Sequence, residues 1–524
     1  MALTRKQLDL VYLGLLAGLG VALAFYATSA YGAGLPTDGM RYISVAESLL
    51  KGQGFYDFDQ GRLVWFPPLY PLIIAGASLV TRVDVFVVAW YLNVGLWGLN
   101  LFLSGWFLRK VFGPGSLYFY LASALVFLSP SALYMHTSVL TEPLFLTFSL
   151  LFFFAGSQYL EKKSFQALLW LTLLALGAAL LRWAGMSHIV AGGVIVLLAW
   201  RNNFKMGALN AAVFGAGSFL PVAAWIYFHN YLPTGTLWGM SSQGNVFVLE
   251  NLLQAVRKVT YWFIPYRPLL SPDGKTEAVL LLTVVVGLLL AINRPSHWLN
   301  WARAYRQPLT GVAMLFTLIN FCATTFMAQT KDHRELASDR YYVQSLAFIL
   351  VIGFLTFEHL IRPHLRFSAR QIQIGLVVLV LLWSALPLVR LNKYLQASLQ
   401  DGEAGYNLHN LRKYHTSDII AQTKRIAAQE PEASLFSNLP APVWFFVRKP
   451  LVRLIPQNRN WTKDDFKVAM DGWPGNQTGY IIWFTDDPYR VWYKPEDLSL
   501  VAELDPVYLG EDGVIYYVSA RGQP

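Results

Sequence analysis

Long apolar runs constrain the fold of this chain more than any other feature of its sequence. They recur from position 8 to position 390, and most are close to the roughly 20 residues that cross a bilayer as one helix. Only 14% of the 524 residues are charged, against roughly 25% in a soluble domain. So few charges could not cover the surface of a soluble protein of this length, and we therefore predict an integral membrane protein. The eleven predicted spans are 8–30, 84–108, 117–133, 141–160, 165–181, 185–200, 207–229, 277–293, 309–328, 341–360 and 372–390.

One further apolar stretch, Pro67–Val80, is too short to be a twelfth span. As a helix it would extend about 21 Å, less than the roughly 30 Å thickness of the hydrocarbon core. Counting it as a crossing would also place the basic loops that follow on the outer side. We therefore predict an interfacial or re-entrant helix that begins at Pro67-Pro68.

The distribution of lysine and arginine predicts the orientation of the spans. Basic residues occupy every second loop, as at Arg109-Lys110 and Lys162-Lys163, and this is the pattern of cytoplasmic loops. With the N-terminus in the cytoplasm, the loop 31–83 and everything after residue 390 would lie on the outer side. The net charge of +10 therefore reflects membrane topology, and we predict no nucleic-acid partner.

The composition changes near residue 390, and the last segment has the pattern of a soluble α/β domain. The residues Thr416-Ser417-Asp418 offer an N-cap to an amphipathic helix that ends near Ala428. The strand-like runs that follow are Ser434–Ser437, Tyr480–Thr485 and Val514–Ser519, the last pairing with Val507–Leu509 in a hairpin. We predict a mainly α membrane protein with a transmembrane domain at 1–390 and a small α/β domain at 391–524 on the outer side.

The outer loop 31–83 contains the first candidate site residue, Asp38, just past the end of the first predicted span. A helix from Arg41 to Lys51 would follow it. A carboxylate at the headgroup boundary could act as a base toward a hydroxyl. It could equally cap the start of the helix, and the spacing leaves both roles open.

Glu142 is the second candidate, because it enters the fourth predicted span from a short outer segment without lysine or arginine. An acidic residue at such a position is costly and is a candidate functional residue for that reason. The structural alternative is a helix start, with Thr141 as the cap and Glu142 and Pro143 in the first turn. The sequence leaves both interpretations open.

Cations near the outer ends of the predicted spans form a third group. Arg182 ends the fifth span, Arg267 lies in a long outer loop, and Lys331 and Arg340 precede the tenth span. Arginines at this depth can bind a phosphate through paired hydrogen bonds, although each alone could be a snorkelling residue or an ion-pair partner. No charge lies deep inside a predicted span, whereas an ion-coupled transporter usually keeps ionisable residues near the midplane.

Metal ligands are poorly represented in the sequence. Asp57 and Asp59 stand on alternate residues and could hold Mg²⁺ or Mn²⁺, but such a pair in a polar loop is far more often solvated. The nine histidines show no ligand spacing. We therefore predict that no cofactor is required, with a divalent metal at the Asp57–Asp59 pair as the alternative.

Several short motifs match a known superfamily in their order along the chain. They are Asp38, Tyr42, Ala46 and Gly52-Gln53-Gly54, then Pro67–Pro71, Thr141–Pro143, Arg182 with Gly185, Arg340-Tyr341, Ser437–Pro440 and Leu454–Pro456. In this set the chain resembles the GT-C superfamily of polyprenyl-phosphate-sugar-dependent glycosyltransferases. The resemblance is to the branch of protein O-mannosyltransferases and of the aminoarabinose transferase that acts on lipid A. In aminoarabinose transferases a lysine thought to touch the donor phosphate precedes Pro-Pro, and Phe66 stands there in this chain.

The resemblance implies an inverting transfer of a sugar from a polyprenyl-phosphate donor to an acceptor hydroxyl at the outer face of the membrane. It implies that Asp38 and Glu142 are catalytic, with Glu142 either orienting the acceptor or supporting Asp38. It also implies that Arg182, Arg267, Lys331 and Arg340 bind the donor phosphate, and that Tyr42 and His136 serve the acceptor. The acceptor would be a lipid, a glycan or a protein, and membrane lipids would surround the spans. The alternative functions are a lipid or polysaccharide transporter without transferase activity and a non-catalytic assembly protein.

The cysteine content bears on the compartment. The single cysteine, Cys322, lies in an apolar span, so the outer domain is predicted to fold without an intramolecular disulfide. Together with compact loops, this favours a bacterial inner membrane over an endoplasmic reticulum. The C-terminal domain would then be periplasmic.

Overall fold

The structure of the chain is a computed structural model that describes residues 4–237, 248–263, 275–327, 339–458, 461–475, 477–486 and 491–521. Helices dominate up to residue 401. In chain order they are α1 (Arg5–Ala27), α2 (Thr37–Leu50), α3 (Leu69–Thr81), α4 (Val85–Phe112), α5 (Leu117–Phe127), α6 (Pro130–His136), α7 (Glu142–Lys162), α8 (Phe165–Leu181), α9 (Met186–Ala199), α10 (Phe204–Trp225), α11 (Leu232–Thr234), α12 (Val248–Phe263), α13 (Lys275–Ile292), α14 (Pro295–Ala304), α15 (Pro308–Met327), α16 (Leu346–Thr356) and α17 (Ala369–Asp401).

Seven helical segments within the described residues are long and apolar enough to cross a membrane. Two pairs, α5 with α6 and α13 with α14, pass the same test together but are bent by 54° and 117°, so the number rises to nine if each pair is one span. The helices at 165–181 and 183–199 are apolar but shorter. A helix lies at each of the eleven predicted positions, which supports the prediction of a multi-pass membrane protein, whereas eleven crossings are not confirmed.

The helix predicted at Pro67–Val80 is present as α3, which covers 13 residues. At 1.5 Å per residue it extends about 20 Å, too short to cross the roughly 30 Å hydrocarbon core when perpendicular to the membrane. The structure therefore agrees with a helix that does not span the bilayer by itself.

The chain divides into two compact units. The first consists of Met1–Ala27, Val64–Tyr70 and Trp90–Gln396. The second consists of Thr28–Leu63, Pro71–Ala89 and Ala397–Pro524. The predicted boundary at residue 390 differs from this division, because most of the segment 31–83, which the sequence predicts to be an outer loop, belongs to the same unit as the C-terminal segment.

Glycines let α1 and α4 pack closely in the first unit. A Cβ on Gly98 would lie only 2.6 Å from Val21 Cγ2. Further along the same pair of helices, Arg109 Nε donates to the buried carboxylate of Asp9 at 2.7 Å. Small residues at such contacts are typical of membrane helices, because close packing rather than the hydrophobic effect drives their association.

A four-stranded sheet forms the centre of the C-terminal segment in the second unit. The strands are β1 (Ser434–Ser437), β2 (Gly479–Phe484), β3 (Ala502–Leu509) and β4 (Gly513–Ala520), in the order β1-β2-β4-β3. β1 and β2 are parallel, and the other two pairings are antiparallel. The remaining helices are α18 (Arg412–His415), α19 (Asp418–Gln429), α20 (Pro440–Val447), α21 (Lys463–Ala469) and α22 (Pro495–Leu498).

The elements predicted for this segment are present. Ser417 caps α19, and its hydroxyl accepts a hydrogen bond from the Ile420 N–H at 3.1 Å. The predicted hairpin is formed by β3 and β4, although β3 begins at Ala502 rather than Val507. Apolar side chains such as Ile481, which is fully buried, form the core of the sheet.

Two asparagines after α17 hold the segment before α2 in place within the second unit. Asn407 Oδ1 accepts a hydrogen bond from the Leu35 N–H at 2.9 Å. Asn410 Nδ2 donates to the carbonyls of Tyr31 at 2.6 Å and Ala33 at 3.1 Å. These bonds fix the residues immediately before α2 and therefore set where that helix begins.

Candidate active site

Glu142 lies in the first unit, in the first turn of α7. Thr141 is the N-cap residue but makes no side-chain capping bond, and Pro143 occupies the start of the helix. The helix start that the sequence allowed is thus confirmed. It does not account for the Glu142 side chain, which is only 4% exposed and contacts two arginines.

Arg182 is presented by a break between two helices of the same unit. α8 ends at Leu181, Arg182 has extended backbone angles, and a short 3-10 turn (Trp183–Gly185) leads into α9. A Cβ on Gly185 would lie closer than 3.0 Å to the Ala178 carbonyl, a separation that Cβ atoms essentially never show. The turn therefore requires glycine at position 185, which explains why the spacing Arg-x-x-Gly matters.

Arg340 completes what we name the double-arginine cluster, which consists of Glu142, Arg182 and Arg340. One terminal nitrogen of Arg182 lies 2.6 Å from Glu142 Oε1, and Arg340 Nε lies 3.5 Å from the same oxygen. The Arg182 side chain also donates to the Thr141 hydroxyl at 2.8 Å. Both guanidiniums face the ring of Tyr341, with distances to its centroid of 5.7 and 5.0 Å.

The double-arginine cluster has the charge of an anion-binding site. Two guanidiniums and one carboxylate leave a net charge of +1, while the arginine side chains are only 14% and 13% exposed. Guanidiniums in such partly desolvated positions bind phosphate or carboxylate oxygens more strongly than they would in water. The site can therefore hold an anion while Glu142 fixes the direction of both arginines.

Asp38 lies in the second unit, in the first turn of α2. The helix begins at Thr37 rather than near Arg41, and its N-cap residue is Pro36, which provides no side-chain bond. Of the two roles that the sequence left open for Asp38, that of the N-cap residue is therefore contradicted. Its half-buried carboxylate sits one residue inside the helix, where the helix dipole favours a negative charge.

Arg41, Asp57 and Asp59 form a second charged group in the same unit, which we name the double-carboxylate cluster. Arg41 pairs with Asp57 Oδ2 and lies 3.8 Å from Asp59 Oδ2. The Gly61 N–H donates to both carboxylates, at 3.0 and 3.2 Å. The Asp57 side chain is fully buried, so the interpretation of this pair as merely solvated is wrong.

Burial and mutual repulsion separate the proton affinities of the two carboxylates. Burial raises the pKa of Asp57, and the hydrogen bond that it shares with Asp59 adds to this effect. Burial opposes ionisation of Asp59 too, but the hydrogen bond from Asp57 and the charge of Arg41 outweigh it and lower the pKa of Asp59. Asp59 is therefore the anionic member of the pair.

The double-carboxylate cluster also bears on the predicted metal. Arg41 occupies the position beside the carboxylates that a cation would take, which disfavours Mg²⁺ there. Across the residues that the structure describes, no group of three or more His, Cys, Asp and Glu side chains is arranged to hold a metal ion.

The remaining predicted site residues are Tyr42, His136, Arg267 and Lys331, and the structure describes only the first two. Tyr42 is buried on α2. The buried imidazole of His136 donates from Nδ1 to the Ala132 carbonyl at 2.7 Å and accepts at Nε2 from Asn100 at 2.9 Å, so both nitrogens have protein partners. That arrangement supports a structural role more than contact with an acceptor. Arg267 and Lys331 lie outside the described residues.

The sequence patterns do not assign Arg41 and His409 to these sites. Arg41 enters the sequence analysis only as the start of a helix, although it lies three residues after Asp38. Tyr341 belongs to the Arg340-Tyr341 motif, and the structure adds that its ring faces both guanidiniums. His409, whose Nε2 lies 3.2 Å from the Thr37 hydroxyl, is more than 370 positions away, and no local pattern pointed to it.

Comparison with known proteins establishes the fold. The chain is similar to the crystal structure of ArnT from Cupriavidus metallidurans in the apo state, with a TM-score of 0.57, 14% identity and coverage of 96% of this chain and 97% of that one. The structure of the same protein bound to undecaprenyl phosphate is similar to this chain with a TM-score of 0.56 and 14% identity. The match covers 97% of this chain and 98% of that one.

The chain is also similar to the solved structure of a second protein. The archaeal oligosaccharyltransferase AglB from Archaeoglobus fulgidus, in complex with an inhibitory peptide and a dolichol-phosphate, matches with a TM-score of 0.50, 11% identity and coverage of 86% of this chain and 65% of that one. ArnT and AglB both have the GT-C fold, so the resemblance seen in the sequence motifs is confirmed at the level of fold. No protein-family model matches the chain, and no curated protein matches its sequence.

Proposed function

We propose that this protein is a membrane glycosyltransferase that transfers a sugar from a polyprenyl-phosphate donor to an acceptor hydroxyl. The observation that carries the proposal is the double-arginine cluster, a buried site of net charge +1 at the ends of apolar helices. It occurs in a fold shared with an ArnT structure that is bound to undecaprenyl phosphate. An anionic lipid phosphate is the ligand that this combination fits best.

On the donor side, Arg182 and Arg340 contact the phosphate oxygens. A sugar linked to polyprenyl phosphate carries one negative charge, and a second develops when the sugar–phosphate bond breaks. Guanidiniums already in place stabilise that developing charge without further reorganisation. Arg267 and Lys331 are proposed to contribute to the same phosphate.

On the acceptor side, Asp38 acts as the general base. It takes the proton from the acceptor hydroxyl as the oxygen attacks C1 of the sugar from the face opposite the phosphate. The new C1–O bond forms, the old C1–O bond breaks with its electron pair going to the phosphate, and the configuration at C1 inverts. A phosphate monoester leaves readily near neutral pH, so the reaction requires no general acid.

Glu142 is a positioning residue in this proposal. Its carboxylate contacts both guanidiniums, at 2.6 and 3.5 Å, and so orients them toward the phosphate. These contacts favour this role over the orientation of an acceptor hydroxyl. The reaction as proposed proceeds without a metal cofactor.

The proposed setting is the outer face of a bacterial inner membrane. The N-terminus would be cytoplasmic, the C-terminal segment periplasmic, and the lipid tail of the donor would lie among the apolar helices. The acceptor would be a lipid, a glycan or a protein. The transporter alternative predicts movement of a lipid-linked sugar without its transfer.

The first experiment substitutes the proposed base in the full-length protein in lipid nanodiscs. Asp38→Asn should lower transfer from polyprenyl-phosphate-linked hexoses and aminoarabinose to membrane acceptors by about 10²–10⁴-fold, because it removes proton abstraction. Binding of undecaprenyl phosphate, measured by titration, should not change. Asp464→Asn, an exposed carboxylate of the same unit, is the control and should behave as wild type.

The second experiment substitutes the donor site. Arg182→Ala should weaken binding of undecaprenyl phosphate and lower transfer by about 10²–10³-fold, whereas Arg362→Ala, a partly exposed arginine of the first unit paired with Glu358, should not. Full transfer by both Asp38→Asn and Arg182→Ala would refute the proposal. Movement of the lipid-linked sugar without any transfer by wild type would favour the transporter.

A further inference from the structure

A cavity of about 310 Å³ lies within the second unit, and none of its lining residues belongs to the double-arginine cluster. Six stretches of the chain line it, namely the start of α2, the loop of the double-carboxylate cluster, His409, the end of β1 with the start of α20, the segment 451–454 and the pair Val491-Trp492. Its volume is at the lower end of the roughly 300–1,000 Å³ of small-molecule sites. It suits a small polar molecule or one end of a larger one.

The first wall of the cavity begins beside Asp38. Thr37 and Arg41, one helical turn apart on α2, both line it, and Asp38 is the residue directly after Thr37. His409 lies against Thr37, with its Nε2 3.2 Å from the hydroxyl, and burial lowers the pKa of this imidazole to about 4. A neutral imidazole and a hydroxyl at this position can exchange hydrogen bonds with hydroxyl groups of a ligand.

An aromatic ring also lines the cavity. Trp492 is half-buried, and its indole N–H donates to the Asn438 carbonyl at 2.9 Å. Asn438 is itself held by both side-chain atoms to the Phe484 backbone, at 2.8 and 2.9 Å. Because the polar edge of Trp492 is bonded to the protein, the ring is fixed in direction and offers apolar surface to the cavity.

Two charged groups complete the lining. Asp59 is 29% exposed and remains anionic, as the lowered pKa of its carboxyl indicates. Arg453 is exposed, lines the same cavity and is close enough to help lower that pKa. The ionised carboxylate accepts hydrogen bonds and the guanidinium donates them, so the pair can bind vicinal hydroxyls from both sides.

The edge of the sheet argues against a peptide in this cavity. Extended peptides commonly bind by adding a strand to a free sheet edge, and β1 is an edge strand beside the cavity. The Val452 N–H, however, donates to the Leu435 carbonyl at 2.8 Å, and Val452 bridges to Phe436 in parallel orientation. The segment around Val452 therefore already covers the edge that a peptide would use.

We propose that this cavity binds a saccharide, the sugar portion of the acceptor, with one ring against Trp492 and its hydroxyls on Asp59 and Arg453. The proposal rests on the proposed function in so far as it assigns the sugar to the acceptor. A sugar ring combines an apolar C–H face with hydroxyls that both donate and accept, which matches an aromatic wall beside a carboxylate, a guanidinium and a neutral imidazole. The acceptor class is therefore a glycan or a glycolipid rather than a polypeptide.

The test uses saturation-transfer difference NMR on the full-length protein in nanodiscs. The probes are the methyl glycosides of glucose, mannose, galactose and N-acetylglucosamine, together with glucuronic acid and a Gly-Ser-Thr-Gly peptide. At least one saccharide should receive saturation, and Arg453→Ala and Trp492→Leu should each weaken its binding by about tenfold or more. Arg425→Ala, an exposed arginine on α19 that does not line the cavity, should bind as wild type.

Undecaprenyl phosphate separates this proposal from the proposed function. Arg453→Ala should bind that lipid as wild type does, whereas Arg182→Ala should not. If wild type binds a saccharide but does not bind undecaprenyl phosphate, the proposed function is overturned and the cavity remains a saccharide site.

Three outcomes would overturn the cavity proposal. In the first, wild type binds none of the saccharide probes. In the second, both cavity variants bind saccharide as tightly as wild type does. In the third, only the peptide binds, and its binding depends on Arg453. Arg453 is exposed, so its variant keeps the test valid even if Trp492→Leu fails to fold.

Discussion

Each of the two compact units contains a partly buried arginine–carboxylate cluster, and the two clusters differ in which charge is in excess. The double-arginine cluster of the first unit has two guanidiniums around one carboxylate. The double-carboxylate cluster of the second unit has one guanidinium between two carboxylates. Both bury groups that are costly to remove from water unless they are paired.

The difference in composition suggests different tasks. A surplus guanidinium remains charged at any physiological pH, so the double-arginine cluster attracts an external anion. A surplus carboxylate can instead take up a proton, so the double-carboxylate cluster can relieve its own repulsion without a ligand. The first cluster is therefore suited to ligand binding, and the second to fixing the loop that carries Phe58 and Asp59 into the cavity.

The largest expected effect comes from removing the single carboxylate of the double-arginine cluster. Glu142→Gln should lower the free energy of unfolding by about 3–5 kcal/mol, because it breaks a buried ion pair by removing one partner. Undecaprenyl phosphate should restore more stability to this variant than to wild type, since its phosphate replaces the missing charge. Thermal unfolding of the nanodisc-embedded protein with and without that lipid measures both effects.

The buried pair Asp9–Arg109 provides the matched control for this prediction. Asp9→Asn also breaks a buried ion pair of the first unit and should be destabilising. It involves a single arginine, and undecaprenyl phosphate should not rescue it. Equal rescue of both variants would contradict the assignment of an anion site to the double-arginine cluster.

A smaller effect is expected from the turn that presents Arg182. Gly185→Ala places a methyl group against the Ala178 carbonyl, and overpacking of this kind costs about 1–3 kcal/mol. Binding of undecaprenyl phosphate should weaken with it, because Arg182 is displaced from Glu142. Gly193→Ala, at a position of the same helical region with open space for a Cβ, should change neither quantity.

For the double-carboxylate cluster we expect an effect on pH dependence. Because the pKa of Asp57 is raised in the folded protein, Asp57 stabilises the folded state fully below its ordinary pKa near 3.9, and this contribution is lost as the pH rises through the raised pKa. The lowered pKa of Asp59 makes stability depend on pH only below about 3.9. Buried His409, whose pKa is lowered, acts in the opposite direction at acidic pH, so wild type is compared with Asp57→Asn at each pH. The unfolding midpoint of wild type minus that of Asp57→Asn, from thermal melts at about one-unit steps, should fall between about pH 5 and 8. A difference that stays constant or rises across this interval would contradict a raised pKa of Asp57.

The smallest effect is expected where an ion pair is exposed. Lys413 lies 2.9 Å from Asp486, with the two side chains 49% and 84% exposed. Lys413→Ala should change the free energy of unfolding by at most about 1 kcal/mol, because water and salt screen such pairs. A loss as large as that of Glu142→Gln would mean that burial is not what distinguishes the clusters.

Much of the fold could be predicted from local patterns. Apolar runs of about 20 residues admit few structures other than membrane helices, and a helix is found at each predicted position. The elements of the C-terminal segment could be predicted from the same kind of signal, since a helix cap and a strand-like run such as that of β4 are properties of consecutive residues. The number of crossings was less certain, because bends such as the 117° break between α13 and α14 leave little trace in hydropathy.

The candidate sites, too, could be predicted from the sequence only in part. The sequence by itself determined that Glu142 and Arg182 were unusual, because a charge at the end of an apolar run is costly wherever the chain folds. Only the tertiary structure decided that both meet Arg340, nearly 200 positions from Glu142, and that Asp57 is buried in a locally polar loop. Composition and periodicity act over a few neighbouring residues, whereas ion pairing and burial depend on which distant segments pack together.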